Sequence, residues 1–403
     1  MNIKGKMIAM VLLAASPLAA QAREERVRSV TVPFILDHDR MVVEAEIRGR
    51  DGAWQKARLW VDSGNPSFLL SKPLADRLGL ELGSDQSRPE VPTPENVRLG
   101  GMPLDFGGVK TNVGLGIDWL FITIHNDGNL PSTVLKKYHV VFDYPNRRMT
   151  LAEPGVLEPR GIRSPAAVHP ATGIVQMDAE IDGEKCSFAL DNGASSSFMP
   201  DSLLARLRER HPEWPYTLGA VGTANIWGWW GGEGSWPLIR IPELRWGAVT
   251  LSNIVVVGLP DFGEGMDVGK WYSQKTAKPV QGFLGPNAYK NYRVEIVYSE
   301  GAIYLEKGPA PPVPDMDIVR LTVKPLNDGR YEVIGALGPD GKCVVPGVEK
   351  GDILLQVGDV AATGATMGTV VDALRGKPGD VRVLKLERAG KPLTVAAKVK
   401  HVI

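Results

Sequence analysis

The residues of this chain best placed to do chemistry are two aspartates in closely matched settings. Leu59-Trp60-Val61-Asp62-Ser63-Gly64 and Phe188-Ala189-Leu190-Asp191-Asn192-Gly193 each read as a buried strand that ends on an Asp and turns at a Gly. A carboxylate at the end of an apolar run is costly to bury unless something satisfies it. A glycine at that point lets the backbone turn tightly. If the two carboxyls meet, they share one proton, because neighbouring carboxylates do not both ionise cheaply. Such a pair can activate a water molecule. Asp62 and Asp191 are therefore the candidate catalytic residues, and Ser63, Gly64, Asn192 and Gly193 the residues that support them. An Asp in one such turn alone would usually be a turn former bonded to nearby amides; two matched settings argue for more.

The elements around the two turns match as well. A shift of 129 positions (191 − 62) carries Lys56, Asp62, Gly64, Ser67, Leu74, Arg77 and Leu78 onto Lys185, Asp191, Gly193, Ser196, Leu203, Arg206 and Leu207. Each turn is followed by a helix-like stretch, Pro73 to Leu78 and Pro200 to Arg208. Further on, the segment from Gly128 to Val140 matches the one from Gly282 to Val294, and each runs into a strand that ends near a tyrosine, Tyr144 or Tyr298. The distance from Asp to Gly is 66 residues in the first copy (128 − 62) and 91 in the second (282 − 191). An internal duplication of this kind outranks most local signals in naming a fold.

On these residues the chain resembles the single-chain, two-lobed aspartic proteases of the retropepsin-like or pepsin-like kind. Those enzymes carry one Asp-Thr/Ser-Gly turn on each of two pseudo-twofold lobes. Gly282-Phe283-Leu284-Gly285 resembles the apolar-apolar-Gly segment of that family. The resemblance covers roughly residues 30–306. It implies an aspartic-type endopeptidase that needs neither metal nor cofactor and is insensitive to EDTA. Three positions depart from the pattern: Asn192 replaces a Thr or Ser, Asn65-Pro66 follows the first turn where a small residue is usual, and Pro131 stands at the counterpart of Gly285. The resemblance assigns Ser63 and Asn192 to locking the two turns together. If the departures spoil the pair, the same groove would bind peptides without cutting them.

The second copy's additional residues include Ile226-Trp-Gly-Trp-Trp-Gly-Gly-Glu-Gly-Ser-Trp236, where the family carries its flap hairpin. Trp227, Trp229, Trp230 and Trp236 either line a groove under a mobile lid or pack onto the lobe surface. The first copy has a plainer hairpin between Arg98 and Val113.

Around these lobes, Lys4, Lys6, the apolar run Met7 to Leu18 and Ala20-Gln21-Ala22 predict a secretory signal peptide over 1–22. The run is shorter than the roughly 20 residues of a membrane span. The expected location is periplasmic or secreted. Without residues 1–22 the chain holds 44 basic against 46 acidic residues, a net charge of −2, which leaves no footprint for nucleic acid. Two cysteines, Cys186 and Cys343, do not make a disulfide framework; free buried thiols are expected. The six histidines form no zinc-protease motif, and His125 and His139 read as surface residues.

Val30 to Arg48 alternates as two strands, Glu153 to Pro165 reads as a connecting loop, and Asp182-Gly183 marks a hairpin. The stretch from Lys307 to Pro314 is a Pro-rich linker. Beyond it, Val345-Pro-Gly-Val-Glu-Lys-Gly-Asp-Ile-Leu-Leu-Gln-Val-Gly-Asp359 resembles the conserved turn-and-strand segment of PDZ domains, with Thr369 to Leu374 as the groove helix and Val381 to Gly390 as the last hairpin. That resemblance implies binding of a C-terminal peptide by strand addition, or a packing module that binds none. The expected fold class is mainly β: aspartic-protease-like lobes at 23–158 and 159–307, a linker at 308–315 and a small α+β PDZ domain at 316–403. The expected partners are a peptide or protein substrate and a terminal peptide. A two-lobed chain carries both aspartates itself, so a monomer is expected.

Overall fold

The computed structural model describes residues 27–82, 89–114, 126–219, 236–259, 268–309, 316–326, 328–335 and 344–403. The expectations for residues 1–22, His125, Trp227, Trp229, Trp230 and Cys343, and most of the linker, fall outside those residues. The chain is mainly β. Among the described residues no helix is long and apolar enough to cross a membrane.

Two large sheets repeat one plan. In the first, Arg40–Arg48, Trp54–Asp62, Gly128–Pro131, Phe68–Ser71 and Thr111–Gly114 lie side by side in that order. In the second, Val175–Ile181, Glu184–Leu190, Gly282–Leu284, Ser197–Pro200 and Val249–Leu259 do the same. The register repeats too. Trp60 pairs with Asn129 and Val61 with Leu130 in a parallel ladder, as Ala189 pairs with Phe283 and Leu190 with Leu284. Phe68 pairs with Thr111, and Ser197 with Val256. Alternate residues of the Asp-bearing strands, Leu59, Val61, Phe188 and Leu190, are fully buried. A one-residue slip would turn that apolar set to the other face, so the core fixes where each Asp falls.

The offset between copies grows along the chain. It is 129 at the aspartates, 145 at the next paired strand (256 − 111) and 154 at the glycine strand (282 − 128). The second copy's additional residues therefore come in two blocks. The later block, of nine (154 − 145), lies between Val249–Leu259 and Gly282–Leu284 and brings the helix Val268–Ser273.

A six-stranded sheet draws strands from both halves, in the order Ser29–Pro33, Arg148–Ala152, His139–Asp143, Tyr292–Val297, Ala302–Lys307, Ile162–Pro165. At its centre His139 pairs with Val297 and Asp143 with Arg293. Here the structure corrects three local expectations. Glu153 to Pro165 contains the strand Ile162–Pro165, and Val30 to Arg48 forms three strands rather than two, Ser29–Pro33, Ile35–Asp37 and Arg40–Arg48. His139 is buried, its Nε2 2.8 Å from Glu295 Oε2. Glu295 also accepts from the Arg160 amide at 2.8 Å and from Arg293, so this buried carboxylate is fully partnered, as burial demands.

The described residues of 316–403 form a six-stranded sheet, in the order Thr322–Pro325, Tyr331–Gly335, Ile353–Val357, Val381–Arg388, Lys391–Lys398 with Val360–Ala361 beside the third, and a separate pair, Asp317–Ile318 with Lys400–His401. The helix Met367–Leu374 starts at Thr366, whose side chain accepts the Thr369 N–H, a standard N-cap. Met316, Ile318, Val319 and Leu321 of this unit share one buried apolar cluster with Ile174, Phe198, Val257 and Phe283 of the second sheet. Polar contacts reinforce the docking. Arg240 donates to the Ile403 carbonyl oxygen at 2.8 and 3.1 Å, and Arg320 to the Leu218 carbonyl at 2.6 Å. The hairpin turn between Ile35–Asp37 and Arg40–Arg48 touches the first turn of the helix, where the Gly368 N–H donates to Asp37 at 2.6 Å.

Candidate active site

Each candidate aspartate closes the parallel ladder of its own sheet. Asp62 is the last residue of Trp54–Asp62 and pairs with Pro131. Asp191 follows Glu184–Leu190, and its N–H donates to the Leu284 carbonyl at 2.9 Å. The structure brings the two together. A Cβ on Gly64 would overlap the Asp191 carboxyl group, and one on Gly193 would overlap Asp62 Oδ1 and lie 2.7 Å from Asp62 Cγ. Each carboxyl thus rests against the bare backbone of the opposite turn. Here glycine is needed for space, not for its conformational freedom.

Ser63 and Asn192 join the turns at the level of the backbone. Ser63 Oγ accepts the Asn192 N–H at 3.0 Å and lies 2.9 Å from the Leu190 carbonyl and 2.8 Å from Asn192 Oδ1, the two acceptors for its single proton. Asn192 Nδ2 donates to Tyr144 Oη at 2.7 Å, and the Tyr289 hydroxyl reaches Asn192 Oδ1 at 3.4 Å. Ser63 and Asn192 are both fully buried. The carboxamide therefore does not leave a gap where a hydroxyl would sit; two tyrosines complete its bonding.

The departures at Asn65, Pro66 and Pro131 face one another. In the second copy Gly285 crosses so close to Ser196 that a Cβ would overlap the Ser196 carbonyl oxygen. In the first copy the crossing is stitched by side chains and backbone instead. Ser132 N–H donates to the Asn65 carbonyl at 3.0 Å, Ser132 Oγ lies 3.1 Å from that carbonyl and 2.7 Å from the Thr172 carbonyl, the two acceptors for its single proton, and Thr133 Oγ1 donates to the Pro66 carbonyl at 2.6 Å. Pro131 has no N–H to offer, and none is needed there.

The two carboxyls have unequal surroundings. Asp62 Oδ2 accepts from Asn129 Nδ2 at 3.2 Å. Asp191 Oδ1 accepts the Gly193 N–H at 2.8 Å, and Asp191 Oδ2 accepts the Tyr272 hydroxyl. Burial pushes Asp62 well above the usual carboxylate range, and the neighbouring Asp191 carboxylate adds to it; Asn129, the Gly64 N–H and Arg40 pull the other way. Burial also raises Asp191, against the opposing bonds from Tyr272, Gly193 and Ala194. A buried pair with both members raised gives up its protons at higher pH than free carboxyls do. Arg40 is buried, with its guanidinium carbon 5.9 Å from the Trp60 ring centroid.

Asn129, Tyr144, Tyr272, Tyr289 and Arg40 are site residues that sequence reasoning missed. Asn129 carried a signal, as a lone amide inside an apolar strand of the repeat. Tyr272 carried none, because its stretch is nine residues longer than the matching one of the first copy and no shift assigns it a partner. Trp236 is buried in the apolar cluster with Phe198, Leu238 and Val257. Cys186 is a free, buried thiol, pushed up to about 11 by burial. Among the described residues no group of three or more His, Cys, Asp or Glu is arranged to hold a metal ion. No protein-family model matches this chain, and no curated protein matches it.

Proposed function

We propose that the chain is an exported aspartic-type endopeptidase that hydrolyses peptide bonds with Asp62, Asp191 and one water. The observation that carries the reading is the meeting of two buried carboxyls, each seated on the other turn's glycine and tied by the Ser63–Asn192 bridge. The ionised member takes a proton from water while the water oxygen bonds to the scissile carbonyl carbon. The protonated member gives its proton to the carbonyl oxygen. In the second half, the carbon–nitrogen bond breaks, the nitrogen takes the proton from the first carboxyl, and a hydroxyl of the tetrahedral species returns one to the second. No net proton is consumed.

The C-terminal unit has a narrower role on this reading than free recruitment. Its sequence resembles a PDZ domain, which implies addition of an extended terminal peptide to a sheet edge. The apolar cluster it shares with the second sheet favours a fixed support for the lobes.

The test is cleavage of an unfolded protein substrate between pH 3 and 7, with Asp62→Asn and Asp191→Asn as controls and a statine-containing peptide as inhibitor. A bell-shaped profile, lost in both variants, is expected. Tight statine binding with no cleavage at any pH would replace this reading with a peptide-binding protein that has lost the reaction.

A further inference from the structure

The two halves of the site differ in what bonds the outer oxygen of each aspartate. In the first copy, Asn129 sits beside Trp60 in the ladder and its amide donates to Asp62 Oδ2. The corresponding position of the second copy, beside Ala189, is Phe283, which has no proton to give. The missing donor comes from elsewhere. Tyr272, on the helix Val268–Ser273, lays its ring 5.2 Å from that of Phe283 and directs its hydroxyl to Asp191 Oδ2. The small Ala189 stands where the first copy has a tryptophan.

We propose that Tyr272 fixes the division of labour within the pair: by donating to Asp191 it makes Asp191 the carboxylate that takes the proton from water and leaves Asp62 as the acid that protonates the carbonyl oxygen. The inference rests on the aspartic-peptidase reading for its catalytic terms, and on geometry alone for its proton assignment. An O–H donor to a carboxylate is a shorter and stronger bond than a neutral amide provides. Asp191 also accepts the N–H of Gly193. Among the described residues, the charged and titratable groups that face the pair are Arg40 on the Asp62 side and Tyr144, Tyr272 and Tyr289 on the Asp191 side. Burial raises all three phenols, so they stay neutral. Tyr272 touches Asp191 rather than substrate, and its role is positioning.

The experiment compares the native chain, Tyr272→Phe, and a chain with 3-fluorotyrosine at position 272. Two quantities are read in each: the pH profile of kcat/KM on a peptide substrate, and the carboxyl carbon-13 titration of the aspartates, assigned with Asp191→Asn. Loss of the hydroxyl removes stabilisation of the Asp191 anion. In Tyr272→Phe the lower limb of the profile and the first ionisation of the pair should both rise by about one pH unit, with the upper limb and KM unmoved. The more acidic fluorophenol should move the same limb down. A role in packing alone would lower activity at every pH and leave the titration in place, and either an unmoved titration or first ionisation at Asp62 in the native chain overturns the proposal. If no variant cleaves anything, the peptidase reading fails, while the titration still decides which carboxyl holds the proton.

Discussion

Asp62 and Asp191 each rest against the glycine backbone of the opposite turn, and their burial, to which the neighbouring carboxylate adds at Asp62, carries a cost that can be measured. In the unfolded chain both ionise near the ordinary 3.8; in the folded chain both are raised. A carboxyl whose folded value is raised contributes its full stability below its unfolded value and loses it as pH rises through the folded one. The native pair therefore destabilises the fold progressively from about pH 3.8 upward. Replacing Asp62 with the neutral, similarly shaped Asn removes that burden. Asp62→Asn should abolish cleavage yet raise Tm at pH 7, by about 1 °C for each kcal/mol removed in a chain of this length that unfolds as one unit, with no gain at pH 3. A variant with the native Tm at pH 7 would mean that the buried Asp62 carboxyl carries no such cost. At this scale the aspartates and their glycines were legible in the sequence, because a short apolar run ending Asp-x-Gly states its own geometry. Tyr272 was not, and Asn129 showed only as a lone amide in an apolar strand, since their contacts cross 81 and 67 residues of chain.

The elements hold the pair still. Five strands in each half follow one order and one register, and the shift of 129 residues had located both Asp-bearing strands and both helices that follow the second paired strand, Lys72–Arg77 and Asp201–Arg210. What joins the halves was not visible in the sequence. The six-stranded sheet pairs segments more than 100 residues apart, and its strands look like ordinary short β runs until their partners are known. Between the Asp turns the join is narrower still, a single serine hydroxyl and a single carboxamide. Ser63→Ala would leave the buried Asn192 N–H without its acceptor. An unsatisfied buried donor costs about 1–3 kcal/mol, and here the loss falls on the bridge that aligns the carboxyls. Ser63→Ala should lower unfolding free energy by that amount in a denaturant titration and depress kcat by at least about tenfold, with KM changed little. Ser63→Thr keeps the hydroxyl and should restore most of the stability. An alanine variant with native kcat would show that the bridge is not needed to align the pair.

At the scale of the whole molecule, the C-terminal unit is built into the body rather than hung from it. Ile174, Phe198, Val257 and Phe283 are buried in one cluster with residues of the 316–403 unit. Phe283 is also the residue on which Tyr272 leans, so the docking face lies directly behind the Asp191 half of the site. On the other half, Asp39 pairs with Lys290 at 3.0 Å, His38 is buried and pushed down to about 3 by burial and the nearby Arg40, and Asp37 holds the Gly368 N–H. The hairpin that carries these residues continues into the strand beside Asp62. The sequence marked a separate module after a Pro-rich linker, and a linker in sequence says nothing about the apolar face waiting at its far end. A chain ending at residue 315 would expose that face to water, and a contiguous apolar patch of this kind destabilises or associates. We expect the truncated chain to melt well below the full-length protein, to bind a hydrophobic dye such as ANS, and to lose cleavage activity along with its native Tm. The full chain should unfold in one cooperative transition rather than two, because neither part completes its core alone. Two separate transitions, or a truncated chain as stable and as active as the full one, would make the unit an independent recruiter and put peptide binding first among its roles.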